Sequence, residues 1–156
     1  MSKSINRVIA AANEAGLTIE VKRMGESTRT AEEAASQCGC SVDQIVKSLI
    51  FAGEQTDKLY LFLVSGSRKL DLDKAQAIVG EPLSRADPRR IRDETGFAIG
   101  GVSPLGHPSS VERYADRTLA TFPSVWAAAG AHDAVFEAEP DALIRAADAQ
   151  MADIAE

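Results

Sequence analysis

Ile45-Val-Lys-Ser-Leu-Ile-Phe51 and Leu59-Tyr-Leu-Phe-Leu-Val64 are rich in strand-forming side chains, and the polar stretch Gly53-Glu-Gln-Thr-Asp-Lys58 links them. β-branched and aromatic residues suit a pleated, half-buried surface, so the pair predicts a hairpin. The second run is apolar at every position. A strand with one wet face would alternate, so this one is expected at the centre of a sheet, covered on both sides. The first run carries one discordant residue, Lys47. Alternate residues of a strand face opposite ways, which puts Lys47 on the face of Ile45 and Leu49. A lysine there is either an edge gatekeeper whose stem snorkels to water, or an ammonium at a pocket wall that binds an anionic or carbonyl oxygen.

Working outward, Ile5, Val8, Ile9 and Ala12 fall at helical spacing and Gly16 is a natural stop, predicting a helix over 3–15. Leu17 to Val21 alternates and predicts a short strand, followed by a loop through Gly25–Arg29. Thr30 with Glu33 has the spacing of a capping box and opens a helix to about Cys38, closed by Gly39. Ser41 or Asp43 then starts a short turn. Leu70 to Val79 reads as a helix stopped by Gly80 and Pro82, and Asp87-Pro88 caps another that ends near Gly96. Thr118 to Phe122, Ser124 to Ala129 and Ala134 to Ala138 predict strands, and Pro140 starts a last helix through Ala149. Hairpins mixed with helices, and no internal repeat, indicate a single α/β domain over 1–156 with a mixed β-sheet flanked by helices.

Composition narrows the function classes. With 45% hydrophobic and 26% charged residues, disorder and low-complexity assembly are disfavoured. Apolar runs fall far short of the ~20 residues of a membrane span, and the polar start Met1-Ser-Lys-Ser lacks a signal-peptide pattern, so a cytoplasmic protein with no membrane partner is expected. The net charge of −6 argues against gripping long stretches of duplex by counterion release. All of that charge lies from Asp133 to Glu156, where only Arg145 is basic; a local basic face is left to Arg68, Lys69 and Lys74, or to Arg85, Arg89, Arg90 and Arg92. Cys38 and Cys40, one glycine apart, make a poor disulfide framework and read as small buried hydrophobes. His107 and His132 lie far apart, so no metal centre is expected.

Gly96-Phe-Ala-Ile-Gly-Gly-Val-Ser-Pro-Leu-Gly-His-Pro108 is too rich in glycine and proline for a helix or central strand. It is either a structural Ω-type connection or a cradle whose backbone N–H groups hold a ligand oxygen. It fits neither a Walker loop nor Gly-x-Gly-x-x-Gly, which disfavours a nucleotide triphosphate. Gly130-Ala-His-Asp133 offers a histidine beside an aspartate, either a surface pair or a dyad. There is no Gly-x-Ser-x-Gly elbow and no supported Cys/His pair, so a hydrolase would need an assisted water or the substrate as nucleophile.

Thr30-Ala-Glu-Glu-Ala-Ala35, Ile45–Phe51, Gly96–Gly106, and Gly130 with Pro140-Asp-Ala-Leu-Ile144 occur in the order found in the YbaK/ProX aminoacyl-tRNA deacylase family, also present as the insertion domain of bacterial prolyl-tRNA synthetases, and the chain resembles that family over nearly its whole length. The resemblance implies a strongly twisted mixed sheet with a pocket for the 3′-terminal adenosine of a mischarged tRNA. It places the family's essential lysine on Lys47, and its Gly-x-x-x-Pro loop on Gly100 to Pro104. The N–H groups of Gly100 and Gly101 would polarise the ester, and Ile99, Val102, Ser103, Pro104, Gly106 and Gly130 would border the substrate. Ser48 falls where members vary and bears on substrate choice; His132 falls near the pocket mouth of some members.

The implied activity is trans-editing: hydrolysis of mischarged aminoacyl-tRNA, foremost tRNA(Pro) bearing a small amino acid such as Ala, Cys, Ser or Thr. The partners implied are the acceptor end and prolyl-tRNA synthetase. No cofactor is called for, because oriented amides and one cation can stabilise an oxyanion. A separate sieve is useful because a missing methylene is worth only about 1–3 kcal/mol to a synthetase. Ile19 to Thr30 contains no aromatic residue, a departure from the cysteine-specific members. The alternatives are a non-catalytic tRNA-end or synthetase-binding module of the same fold, and a small-molecule regulator using the glycine loop.

Overall fold

Val46–Gly53 and Leu59–Ser65 form the hairpin that centres the fold in a computed structural model describing residues 2–26, 28 and 30–156. In chain order the helices are α1 (Lys3–Glu14), α2 (Ala31–Cys38), α3 (Leu72–Val79), α4 (Pro88–Thr95) and α5 (Pro140–Ala146). The strands are β1 (Lys22–Arg23), β2 (Val46–Gly53), β3 (Leu59–Ser65), β4 (Leu83–Arg85), β5 (Glu112–Asp116), β6 (Val125–Ala128), β7 (Ala134–Ala138) and β8 (Gln150–Ala152). The hairpin register runs from Val46 opposite Ser65 to Ala52 opposite Leu59. Every residue of β3 is buried, as its unbroken apolar run requires.

The single sheet expected from sequence is two. Five strands lie in the order β4-β2-β3-β5-β8, with β3–β5 and β5–β8 parallel and the rest antiparallel; a smaller sheet runs β1-β7-β6. A parallel bridge from Ile45 to Trp126 ties the two together just before β2 begins. One face of the hairpin (Val46, Ile50, Leu61, Leu63) packs on Ile5 and Val8 of α1, Ile91 of α4, Phe97 and Phe136. The other (Leu49, Phe51, Tyr60, Phe62, Val64) packs on Ala75 of α3, Tyr114 and Ile154. Phe62 sits among the rings of Phe51, Tyr60 and Tyr114, at centroid distances of 6.1, 6.4 and 5.7 Å.

Helix boundaries follow the expected caps. Thr30 accepts the Glu33 N–H, Asp87 accepts the Arg89 N–H ahead of Pro88, and Gly39, Gly80 and Gly96 close their helices in the left-handed region. Three expectations fail locally, and one strand goes unread. Leu17–Val21 is not a strand: the Leu17 N–H closes α1 on the Ala12 carbonyl at 2.8 Å, and Leu17, Ile19 and Val21 pack their apolar side chains on the core without a ladder. Thr118–Phe122 is not a strand either. The Asp116 carboxylate accepts the Thr118 N–H at 2.9 Å and starts a 3₁₀ turn, Arg117–Thr121, so a local cap overrides threonine's strand preference, and the strand β5 comes before it. The last helix stops at Ala146, leaving Gln150–Ala152 free to pair with β5 as β8. Finally β4, three residues on the edge of β2, is too short to announce itself. Cys38 and Cys40 are free, half-buried, and packed beside Ala31, Ala34 and Trp126; burial raises both thiols, Cys38 to about 11, so they stay protonated.

The turn of the hairpin is held by Glu81, whose carboxylate accepts the N–H groups of Gln55 and Thr56 at 2.9 Å, the Thr56 hydroxyl at 2.6 Å and the Tyr60 hydroxyl at 2.7 Å. Hydrogen bonds from Thr56 and Tyr60 hold Glu81 down at about 2, while burial and the bond to Glu81 push Tyr60 up to about 12. Glu81→Gln is expected to lower Tm by several degrees at pH 7. A depressed carboxyl stabilises fully only above its unfolded value of 4.5, so the gap between wild type and variant should shrink below that pH and close near 2, checked by melting curves from pH 7 to 2.

Candidate functional site

Where β2 leaves the small sheet, a cavity of about 410 Å³ opens between the two sheets and the first turn of α2. Val46, Lys47 and Ser48 form one wall, Ile99, Gly100 and Val102 of the glycine loop a second, Trp126 to Ala128 and Val135 a third, and Thr28, Thr30, Ala31, Glu32 and Ala34 the rim. Alternation along β2 turns Val46 and Ser48 toward the main core and Lys47 toward the α3 side; all three still reach the cavity because β4 pairs only with Phe51–Gly53 and leaves the start of β2 an open edge.

Lys47 pairs across the hairpin with Val64, and its Nζ donates to the carbonyl of Arg68. Partial burial lowers its pKa and Lys69 pushes the same way, against Glu32 and Asp116. Ser48 Oγ is buried with no hydrogen-bond partner among the described residues, an unusual state for a hydroxyl and one that a ligand can relieve.

The glycine loop is irregular throughout, as its composition requires. Gly100 adopts φ +90°, a conformation glycine enters without a Cβ penalty, and Ile99 is 57% exposed at the loop tip. The Gly101 N–H is already spent on the Ala98 carbonyl at 3.0 Å, closing a tight turn. The N–H groups of the cavity-lining Ile99, Gly100 and Val102 carry no such bond among the described residues, which leaves these amides open to a ligand oxygen.

Lys47, Ser48, Ile99, Gly100 and Val102 therefore meet at one cavity, while Gly101, Ser103, Pro104, Gly106, Gly130 and His132 do not line it. These others hold the walls in place. A Cβ on Gly101 would stand 3.1 Å from the Ala131 backbone, and one on Gly130, at φ +101°, would stand 2.9 Å from the Ser4 backbone of α1. Ser103 is fully buried, its Oγ accepting the Leu105 N–H at 3.2 Å; Pro104 is buried beside it, and Gly106 turns at φ +87°. His132 is exposed, but its carbonyl accepts both the N–H and the hydroxyl of Thr28 at 2.7 Å, anchoring the rim. Asp133 is engaged by Arg23 at 2.9 Å, which leaves the histidine–aspartate pair at the surface.

His107 lies behind the loop with Nε2 at 2.6 Å from the Ser103 carbonyl. Burial drives its pKa down to about 4, aided by the charges of Arg113 and Arg7, so the ring is neutral at pH 7 and Nε2–H donates to that carbonyl. Residues missed from sequence are Thr28, Glu32, Gly66 and the Trp126 strand. Their signals were weak: Thr28 and Glu32 flank a helix cap, and Gly66 looks like any turn glycine. Among the described residues no group of three or more His, Cys, Asp and Glu side chains could hold a metal ion, and no helix is long and apolar enough to cross a membrane.

Residues 25–146 match the aminoacyl-tRNA editing domain family. A solved structure described as a candidate trans-editing enzyme for prolyl tRNA synthetase superposes with a TM-score of 0.91 at 48% identity, over 100% of this chain and 99% of that one. Among curated proteins, the uncharacterized YwhH of Bacillus subtilis is 34% identical over 80% of this chain and 78% of its own length. The proline–tRNA ligase of Thermosipho melanesiensis is 39% identical over 60% of this chain, but that stretch is only 16% of the ligase. Because the matched residues include every wall of the cavity, from Thr28 to Val135, the chain belongs to the aminoacyl-tRNA editing domain family.

Proposed function

We propose that the protein is a trans-acting deacylase that hydrolyses the ester of mischarged aminoacyl-tRNA, on tRNA(Pro) bearing a small amino acid such as alanine, cysteine, serine or threonine. The observation that carries this reading is the meeting of Lys47 and the free amides of Gly100 and Val102 at one cavity. Ester hydrolysis builds negative charge on the carbonyl oxygen, and fixed amides with one cation stabilise it without reorganising. Water adds to the carbonyl carbon, the bond to the ribose oxygen breaks, and that oxygen leaves with a proton as the free amino acid departs. The water is oriented by the terminal ribose hydroxyl; for a cysteinyl ester the substrate thiol is an alternative nucleophile.

Ile45, Val46, Val102 and Trp126 give the cavity rigid apolar walls that limit side-chain size, and Ser48 Oγ offers a polar contact. Holding only the acceptor end neutralises few phosphates, which accords with a net charge of −6. Arg68, whose carbonyl is Lys47's partner, and the adjacent Lys69 supply local positive charge. The test is a deacylation panel of Ala-, Cys-, Ser-, Thr- and Pro-tRNA(Pro). Release of at least one small non-cognate amino acid, with Pro-tRNA(Pro) spared, is expected; spontaneous rates for all five would overturn the proposal.

A further inference from the structure

We infer that Arg7 of α1 is a positioning residue for the glycine loop: its guanidinium braces both ends of Gly96–Gly106 and so sets the amides of Gly100 and Val102 at the cavity. The helix that carries it lies outside the family-matched residues 25–146. For its catalytic consequence the inference rests on the deacylase reading above; the brace itself does not.

The contacts converge from four directions. Arg7 Nη2 donates to the Thr95 carbonyl at 2.8 Å, at the end of α4 where the loop begins. The guanidinium carbon sits 4.4 Å from the centroid of the Phe97 ring, which is fully buried. A Cβ on Gly96 would stand 2.4 Å from Arg7 Nη1, so glycine at that position leaves room for the guanidinium as well as allowing φ +80°. At the far end, a Cβ on Gly106 would stand 3.5 Å from Arg7 Nε. One planar group thus bonds to the loop's entry and lies beside its exit.

The brace extends into the loop. Phe97 meets the His107 ring edge-on at 5.2 Å, and His107 Nε2 binds the Ser103 carbonyl at 2.6 Å. The residues left between these fixed points are those whose amides line the cavity. α1 itself is anchored independently, by Ile5, Val8 and Ala12 in the main core and by the close approach of Ser4 to Gly130. Arginine suits the task because its flat face stacks on Phe97 while its edge donates in a fixed direction; lysine offers charge without either constraint.

The experiment compares wild type, Arg7→Lys and Arg7→Gln by amide hydrogen exchange and by single-turnover deacylation of the best substrate in the panel. Expected are exchange at the hydrogen-bonded loop amides of Gly101 and Leu105 faster by about tenfold in Arg7→Gln, with β3 amides unchanged, and a deacylation rate lower by about tenfold with substrate affinity held. Arg7→Lys, which keeps charge and stem and so protects the fold, should fall between. Unchanged loop exchange in both variants overturns the brace. Faster loop exchange with full deacylation keeps the brace but overturns its catalytic role. If wild type cleaves no substrate the deacylase reading fails, and loop exchange still decides the brace.

Discussion

Lys47→Ala is expected to lower kcat/KM on the mischarged tRNA by about 10² to 10³ while leaving the fold intact. On the proposed mechanism the loss is large because the ammonium shares the cavity in which the carbonyl oxygen would gain charge, and walls from Trp126, Val102 and Ile45 weaken screening by water there. The fold should not suffer, and the sign follows from titration. Burial lowers the pKa of Lys47 in the folded chain, so folding penalises the charged form below that value, and the penalty is relieved as pH rises from there toward 10.5. At pH 7 relief of that penalty offsets loss of the bond to the Arg68 carbonyl, so the alanine variant should melt close to wild type. The same shift sets the pH profile: activity that needs the ammonium should decline at lower pH than an ordinary lysine would allow. Lys47→Arg, which keeps the charge on a larger head, should retain more activity than Lys47→Ala. Melting curves with single-turnover rates check both parts, and unchanged turnover in Lys47→Ala would remove this side chain from the mechanism.

The place of Lys47 at the cavity was legible in the sequence because a charge inside an apolar strand conflicts with its surroundings. The glycine loop was legible for the same reason: its composition forbids regular structure. What resisted reading was pairing over distance. Gln150–Ala152 has no pattern of its own and becomes a strand only because β5 lies alongside it. Leu17–Val21 has the right pattern but no partner strand, so its alternation is satisfied by packing alone. Within the loop, spacing could not reveal that the Gly101 amide is spent on Ala98 while those of its neighbours are free. Nor could it reveal that Gly130 and Gly106 serve α1, since a missing Cβ speaks only once its neighbours are known.

Gly66→Ala is expected to damage stability and activity together. Gly66 follows β3 and lines the cavity, and a Cβ there would stand 2.3 Å from the Val42 carbonyl oxygen, 3.0 Å from Ala31 Cβ and 3.1 Å from Ile45 Cβ. The oxygen cannot swing aside cheaply: it accepts the Ile45 N–H at 3.1 Å, while the Ile45 carbonyl accepts the Gly66 N–H at 2.7 Å. Backbone must move on one side or the other, which for overpacking costs about 1–3 kcal/mol and should lower Tm by roughly 3–10 °C. Either movement reaches the ammonium, because Lys47 lies just beyond Ile45 in one direction and its acceptor, the Arg68 carbonyl, lies just beyond Gly66 in the other. A displacement of about 1 Å at a reacting group can cost on the order of 10²-fold in rate, so deacylation measured well below the variant's Tm should fall far more than the unfolded fraction explains. Gly80→Ala is the matched control. Gly80 has φ +82° but open space around it at the end of α3, so alanine there should cost about 1 kcal/mol of backbone strain and leave turnover unchanged. Equal retention of activity by the two variants would mean that the approach of Val42 to Gly66 does not govern where Lys47 sits.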